Sequence, residues 1–266
     1  MLISLPNAFG DAATNMAIDA ALLDSIPSGL AAFRHYAWLE PASTFGYAQR
    51  YQDVVSALVE CPLGTQASAA ISPNQASDPT TLVRRLTGGG IVDHRNDWTY
   101  ALILHTALPS ATSPATQLYQ QIHQAIRLAL SEMSVESQLA PCPKACNSPH
   151  PASRIPHPAS RIPHPALSHC FITPAANDVL RPDGQKIAGA AMKRTRHGLL
   201  IQGSLDRSAL PPAFDYPTFQ AQLLTQLAAA LHLPLGQLED IRPLFNSARI
   251  EQEKQRFASE AWNQRR

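Results

Sequence analysis

Apolar positions first organise into a helix over residues 11–26, where Met16, Ala20 and Leu23 share one face. Asp11 or Thr14 can cap its start, and Pro27-Ser28-Gly29 ends it. Short strand patterns follow at Ala31–Trp38 and Ser43–Tyr47. From Ala57 to Thr80 the chain turns to Ser, Ala, Gln, Pro and Asn with little periodicity, which predicts a surface loop or insertion. Apolar, β-prone runs at Leu82–Leu86 and Thr99–Leu104 then flank Gly88-Gly89-Gly90, placing the glycines in a strand-to-strand connection. Ser113-Pro114 opens the clearest helix pattern, with Ser as N-cap, Pro in the first turn and Leu118, Ile122, Ala125, Ala129 and Met133 as its stripe. Further strands are predicted at Asp178–Leu180, Lys186–Ala191 and Leu199–Leu205, and helices at Phe219–Leu231 and Ser247–Trp262. Strands grouped with helices, without a strict βαβ rhythm, predict an α/β sandwich with a mixed or antiparallel sheet.

Between the central helix and the later strands lies a repeat. Pro-His-Pro-Ala-Ser-Arg-Ile occurs at 149–155 and again at 156–162, and a third copy starts at Pro163. Two prolines in seven residues exclude a helix or an inner strand, so a polyproline-like or disordered surface segment is expected. This accounts for the high total of 23 prolines in 266 residues. The length allows one large domain or two small ones, with insertions at 57–80 and 141–168.

Composition narrows the function classes. Apolar residues at 45% suffice for a buried core. A net charge of +1 provides no global field for a nucleic-acid backbone, so no nucleic-acid partner is expected. No cation precedes Arg34 and no apolar run approaches about 18 residues, so neither a secretory leader nor a membrane span is expected and a cytoplasmic location is. Cys61, Cys142, Cys146 and Cys170 are too few for a disulfide scaffold; each is a filler, a ligand or a nucleophile.

Two constellations carry candidate chemistry. In Arg84-Arg85-Leu86-Thr87-Gly88-Gly89-Gly90-Ile91-Val92-Asp93-His94, consecutive glycines let a ligand approach the main chain, and the arginines and amides suit an anionic or carbonyl-bearing group. A plain hairpin turn is the alternative, since neither a P-loop nor a dinucleotide fingerprint is present. In Gly184-Gln185-Lys186-Ile187-Ala188-Gly189-Ala190-Ala191, a lysine heads a small, apolar strand and can present its amine to an oxyanion, or be an ordinary solvated edge lysine.

Together, RRLTGGGIVDH, NDWTYAL and DGQKIAGAAMKR resemble the hallmark segments of the biotin/lipoate protein ligase and octanoyltransferase superfamily. NMAIDAALL, TFGYAQRYQD and FASEAWNQRR extend the likeness over nearly the whole chain apart from the insertions. The resemblance implies a single catalytic domain over 1–266 with an α/β (α+β) fold related to class II synthetases, a mixed, largely antiparallel sheet flanked by helices. Cys170-Phe171-Ile172-Thr173-Pro174 resembles the Cys-Phe-x-x-Pro segment that one group of octanoyltransferases places upstream of the motif lysine. It implies Cys170 and Lys186 as catalytic residues, and Arg85, Thr87, Gly88, Gly89, Gly90, His94, Gly189 and Ala190 around the acyl group. The implied partners are octanoyl-acyl carrier protein and, as acceptor, the glycine cleavage H protein or lipoyl domains of 2-oxoacid dehydrogenases, with no cofactor.

Three features pull elsewhere. Asn177-Asp178 also resembles a pair in ATP-dependent lipoate ligases, which use ATP and Mg, although no room for an accessory domain is expected after Trp262. Gln202-Gly203 stands where many relatives have His-Gly, and Asp93 where an apolar residue is common. Cys142, Cys146, His150, His157, His164, His169 and Cys170 are zinc-type ligands, so a zinc-binding or carrier-binding module without activity is a third class; yet the histidine spacing follows the repeat, and no metal is expected. Lys193, Arg194 and Arg196 could form a basic rim for acidic carriers, or a solvated turn.

Overall fold

The structure, a computed structural model, describes residues 1–60, 80–141 and 174–265. The main sheet contains β1 (Leu2–Ser4), β2 (Ala8–Gly10), β3 (Ala31–Trp38), β7 (Asp97–His105), β8 (Gln138–Leu139), β9 (Val179–Leu180), β10 (Lys186–Arg194), β11 (Gly198–Asp206) and β12 (Leu235–Gly236). Their order is β12-β1-β3-β7-β11-β10-β9-β8, with β2 also paired to β3. A small second sheet contains β4 (Ala42–Phe45), β5 (Thr81–Arg84) and β6 (Val92–Asp93), with β4 in the middle. The helices are α1 (Ala12–Ser25), α2 (Tyr51–Glu60), α3 (Pro109–Thr112), α4 (Ala115–Glu132), α5 (Tyr216–Leu231), α6 (Ser247–Ala258) and α7 (Glu260–Asn263).

The centre of the main sheet, β3-β7-β11-β10, is antiparallel throughout, while β1 and β2 lie parallel to β3. This is the mixed, largely antiparallel sheet that the resemblance implies. Side chains alternate across β7: Tyr100, Leu102 and Leu104 join one core with α4 and α5, whereas Ala101 and Ile103 join a second core with α1 and Phe257 of α6. With helices on both faces, the middle of β7 needs apolar residues on both sides, which explains the continuous apolar run Tyr100–Leu104.

Several boundaries differ from the sequence reading. The helix α2 extends to Glu60, so the segment beginning at Ala57 starts as helix; the remainder of that insertion, 61–79, lies outside the described residues. Ser113 does not cap α4: it ends α3, and Pro114 occupies the N-cap without a side-chain bond. The last predicted helix is two, because Ser259 ends α6 and caps α7 through Trp262 N. The Pro-His repeat falls at 149–166, outside the described residues.

Candidate active site

The glycine loop is not a hairpin turn. Its flanking strands β5 and β6 both pair with β4, one on each side, so the loop passes over the end of β4. Gly89 has φ +87°, open to glycine at little cost, and a Cβ on Gly46 would collide with the Gly89 carbonyl. Arg85 holds the loop from inside: it donates to the carbonyls of Gly88 and Gly90, the latter at 2.9 Å, and to Thr44 Oγ1 at 3.2 Å. Arg84 points the other way and donates to the carbonyls of Tyr47, Gln49 and Asn263, tying β5 to the C-terminal helices. Paired arginines that look alike in the sequence thus face a cavity and a protein interior respectively.

Lys186 begins β10, where the register shifts against β9. Its ammonium meets Asp178 Oδ2 at 2.7 Å, both side chains being buried. A Cβ on Gly189 would lie 2.6 Å from Lys186 Cε and Nζ, so this glycine makes room for the lysine to fold back over its own strand. Asp178 also accepts from Ala175 N at 2.6 Å, and Asn177 reaches φ +69° to turn the chain into β9. Behind it, His123 Nδ1 lies 2.7 Å from the Asn177 carbonyl, so Nδ1 carries the proton; burial pushes this imidazole's pKa down and keeps it neutral.

On the glycine-loop side, His94 Nδ1 lies 2.7 Å from Asp97 Oδ2 and Nε2 lies 2.8 Å from Thr44 Oγ1. The ring stacks on Trp38 with centroids 4.0 Å apart. Beneath the loop, Thr87 donates to Gln202 Oε1 at 2.8 Å, and Gln202 Nε2 donates to Asp19 Oδ2 at 2.8 Å. Asp19 in turn pairs with Arg34 at 2.7 Å and accepts from Tyr36 at 3.0 Å. Burial pushes the Asp19 carboxyl up, and the Arg34 guanidinium opposes that shift.

These groups surround one cavity of about 320 Å³, at the small end of the range for small-molecule sites. Arg85, Gly89, Gly90, His94, Lys186, Gly189 and Ala190 line it. Thr87 is buried below, holding Gln202, and Gly88 presents its carbonyl to Arg85. Met16, Tyr36 and Val92 supply apolar wall, and Thr44, Asp178 and Gln202 supply polar groups. Sequence reasoning left Thr44 unassigned because an alternating strand hides which polar residue faces inward, and treated Gln202 only as a departure from a pattern. Asp19 and Arg34 carried no visible signal, since charges on a helix and a strand ordinarily face solvent.

Cys170, the candidate nucleophile, lies outside the described residues, as do Cys142, Cys146, His150, His157, His164 and His169. Among the described residues no group of three or more His, Cys, Asp or Glu could hold a metal ion, and no helix is long and apolar enough to cross a membrane. The basic rim is only partly assembled. Lys193 lies over the Tyr47 ring at 4.7 Å, and Tyr47 N bonds Thr87 O, so this cation borders the glycine loop. Arg194 instead donates to the carbonyls of Ala111 and Ser113, and Arg196 to His197 at the hairpin tip.

The family model described as the lipoyl protein ligase A/B catalytic domain matches residues 11–215. Octanoyltransferase LipM of Halalkalibacterium halodurans is 26% identical over 242 residues, covering 87% of this chain and 76% of the relative. Octanoyltransferase LipM of Oceanobacillus iheyensis is 28% identical over 257 residues, covering 91% and 81%. Among solved structures, lipoate-protein ligase A bound with ATP aligns with TM-score 0.66 at 15% identity, over 98% of this chain and 97% of the other. A bi-partite lipoate protein ligase from Thermoplasma acidophilum, solved with its E2 lipoyl domain, aligns with TM-score 0.64 at 16% identity, over 98% and 95%. These likenesses show the fold.

Proposed function

The chain belongs to the lipoyl protein ligase A/B catalytic domain family, and we propose that it transfers an octanoyl group from acyl carrier protein, through a cysteine thioester, to a lysine of a lipoyl carrier protein. The observation that carries this reading is the placement of Lys186: its ammonium is held by Asp178 over Gly189, facing the Arg85-pinned glycine loop across one cavity. Such a cation stabilises the negative charge that develops on an acyl carbonyl oxygen during attack. The relatives named octanoyltransferase LipM, matched over most of both chains, support the choice of acyl group.

The nucleophile in this reading is Cys170. Five residues further along the chain is Ala175, which lines the cavity. A free thiol, with a pKa of about 8.5, is mostly protonated at neutral pH, and a nearby ammonium such as that of Lys186 favours the thiolate. The thiolate attacks the carrier thioester, the carrier thiol departs, and one thioester replaces another at little net cost. A lysine amine of the acceptor then attacks the acyl-enzyme and forms an amide. No ATP is consumed. Octanoyl-acyl carrier protein is the proposed donor; the glycine cleavage H protein or a lipoyl domain of a 2-oxoacid dehydrogenase is the proposed acceptor.

An ATP-dependent ligation through lipoyl-adenylate is the competing reading, favoured by Asn177-Asp178, whose carboxylate holds the motif lysine. ATP and Mg would be required, and Lys186 and Arg85 are the cavity cations that would meet the phosphates. Intact-mass measurement separates the two. After incubation with octanoyl-acyl carrier protein and no ATP, the protein gains one octanoyl group and Cys170→Ala gains none. An unchanged mass, with carrier lipoylation only when ATP and free lipoate are supplied, refutes acyl transfer.

A further inference from the structure

A buried line of hydrogen bonds on the glycine-loop side of the cavity is left over by the chemistry of Lys186 and Cys170. Asp97, His94 and Thr44 follow one another at 2.7 and 2.8 Å, and Thr44 opens onto the cavity. We propose that Thr44, His94 and Asp97 form a proton relay that accepts the proton of the acceptor amine as it attacks the acyl thioester. The proposal rests on the octanoyl-transfer reading and names the base that reading lacks.

The Asp97 carboxylate only accepts, so His94 Nδ1 carries a hydrogen, and in the neutral imidazole that the relay requires Nε2 keeps its lone pair. Arg85 only donates and occupies one lone pair of Thr44 Oγ1, so the Thr44 hydroxyl hydrogen is free to point at His94 Nε2. Thr44 Oγ1 thus keeps one lone pair for a donor arriving from the cavity. Two further contacts fix the line: Thr99 Oγ1 donates to Asp97 Oδ2 at 2.9 Å, and Trp38 stacks on the His94 ring while donating Nε1 to Thr99 Oγ1 at 2.9 Å. Thr44 of the small sheet, His94 of the β6–β7 connection and Asp97 of the main sheet are held in the order hydroxyl, imidazole, carboxylate, an arrangement that moves a proton in one direction and stabilises the imidazolium that results.

The amine nitrogen bonds to the thioester carbonyl carbon, and one of its protons passes to Thr44 Oγ1 as the hydroxyl proton passes to His94 Nε2. The imidazolium is held by Asp97. The carbon–sulfur bond breaks, its electron pair leaves on sulfur, and the His94 proton returns through Thr44 to that thiolate. No oxidant or reductant is needed. Thr44 touches the substrate in this account; His94 and Asp97 act through it.

The alternative is that the same bonds merely hold β4 against β7. Rapid-quench intact-mass spectrometry with octanoyl-acyl carrier protein and a lipoyl domain, without ATP, reads acyl arrival on the protein and acyl departure to the amine separately. Thr44→Val is expected to lower the ratio of departure rate to arrival rate by about 10²–10⁴, so that acyl-enzyme accumulates, and Thr44→Ser to restore that ratio to within about tenfold of the native value. Asp97→Asn, which disturbs the imidazole tautomer without shortening the side chain, is expected to lower the same ratio by at least 10² and carries the test if Thr44→Val fails to fold. Departure at the native rate in both variants, or arrival and departure falling by the same factor, overturns the relay alone. A native protein that acquires no octanoyl group overturns the acyl-transfer reading and the relay with it.

Discussion

Two buried ion pairs of the same length do different work in this molecule. Arg34–Asp19 and Lys186–Asp178 are each 2.7 Å apart and each nearly sealed from solvent. Around the first, every direction is filled: Arg34 also donates to Asn15 Oδ1 at 2.9 Å and lies 4.1 Å from the Tyr36 ring centroid, while Asp19 also accepts from Tyr36 and Gln202. The planar guanidinium therefore fastens β3 to α1, and the Asp19 carboxylate ties β11 to the same point through Gln202. Around the second, one side is cavity, and the lysine lies over a glycine with no Cβ to crowd it. A fork-shaped donor fixes a frame, whereas a compact, rotatable ammonium can turn from its carboxylate toward a ligand.

The sharpest way to break the comparison is to remove a partner from the closed pair. Arg34→Met leaves the Asp19 charge buried and unmatched and is expected to cost about 3–5 kcal/mol of stability in chemical denaturation. A loss below about 1 kcal/mol would show the pair to be dispensable to the frame. The open pair should respond in rate. Lys186→Met combined with Asp178→Asn avoids an orphan charge, and ATP-free octanoyl transfer is expected to fall about 10²–10³-fold, measured in steady-state assays on variants whose melting is checked in parallel. Gly189→Ala sharpens the point: its new Cβ would meet the lysine amine at 2.6 Å and displace it, with an expected rate loss of about 10–100-fold and little change in melting.

The smallest expected effect concerns pH. Burial pushes the His123 imidazole's pKa below its ordinary value of about 6.5, so below that pH the unfolded chain binds a proton that the folded chain resists. Stability contributed by neutral His123 is therefore fully present above about pH 6.5 and is lost as pH falls through that range toward the depressed value. His35, also pushed down by burial, adds to the same slope. Melting followed from pH 7 to pH 5 should show this decline, and His123→Gln should flatten it; an equal slope in both proteins would remove His123 from the account.

Much of this arrangement was legible in the sequence. Asp11 caps α1 by accepting from Thr14 N at 2.6 Å, and β3 spans Ala31–Trp38 as its pattern predicts. The two motif segments do meet at one cavity. The hairpin alternative for the glycine loop failed because β4 lies between the loop's flanking strands, and a pairing with a distant segment leaves no local trace. The strands β1, β2 and β12 span two or three residues, too few for a period to show. Asn15 and Asp19 read as polar positions of a surface helix, yet both are buried because α1 is covered by the sheet on one side and by α6 on another. Gln202 looked like a lost function; its amide bridges Thr87 to Asp19, a pairing that needs a donor and an acceptor on one side chain.

The most direct test of the central claim is to supply octanoyl-acyl carrier protein and a lipoyl domain to the protein without ATP and to weigh the domain. One octanoyl amide on the domain lysine is the predicted result. A domain that stays unmodified until ATP and a free fatty acid or lipoate are added would contradict it and make the protein a ligase.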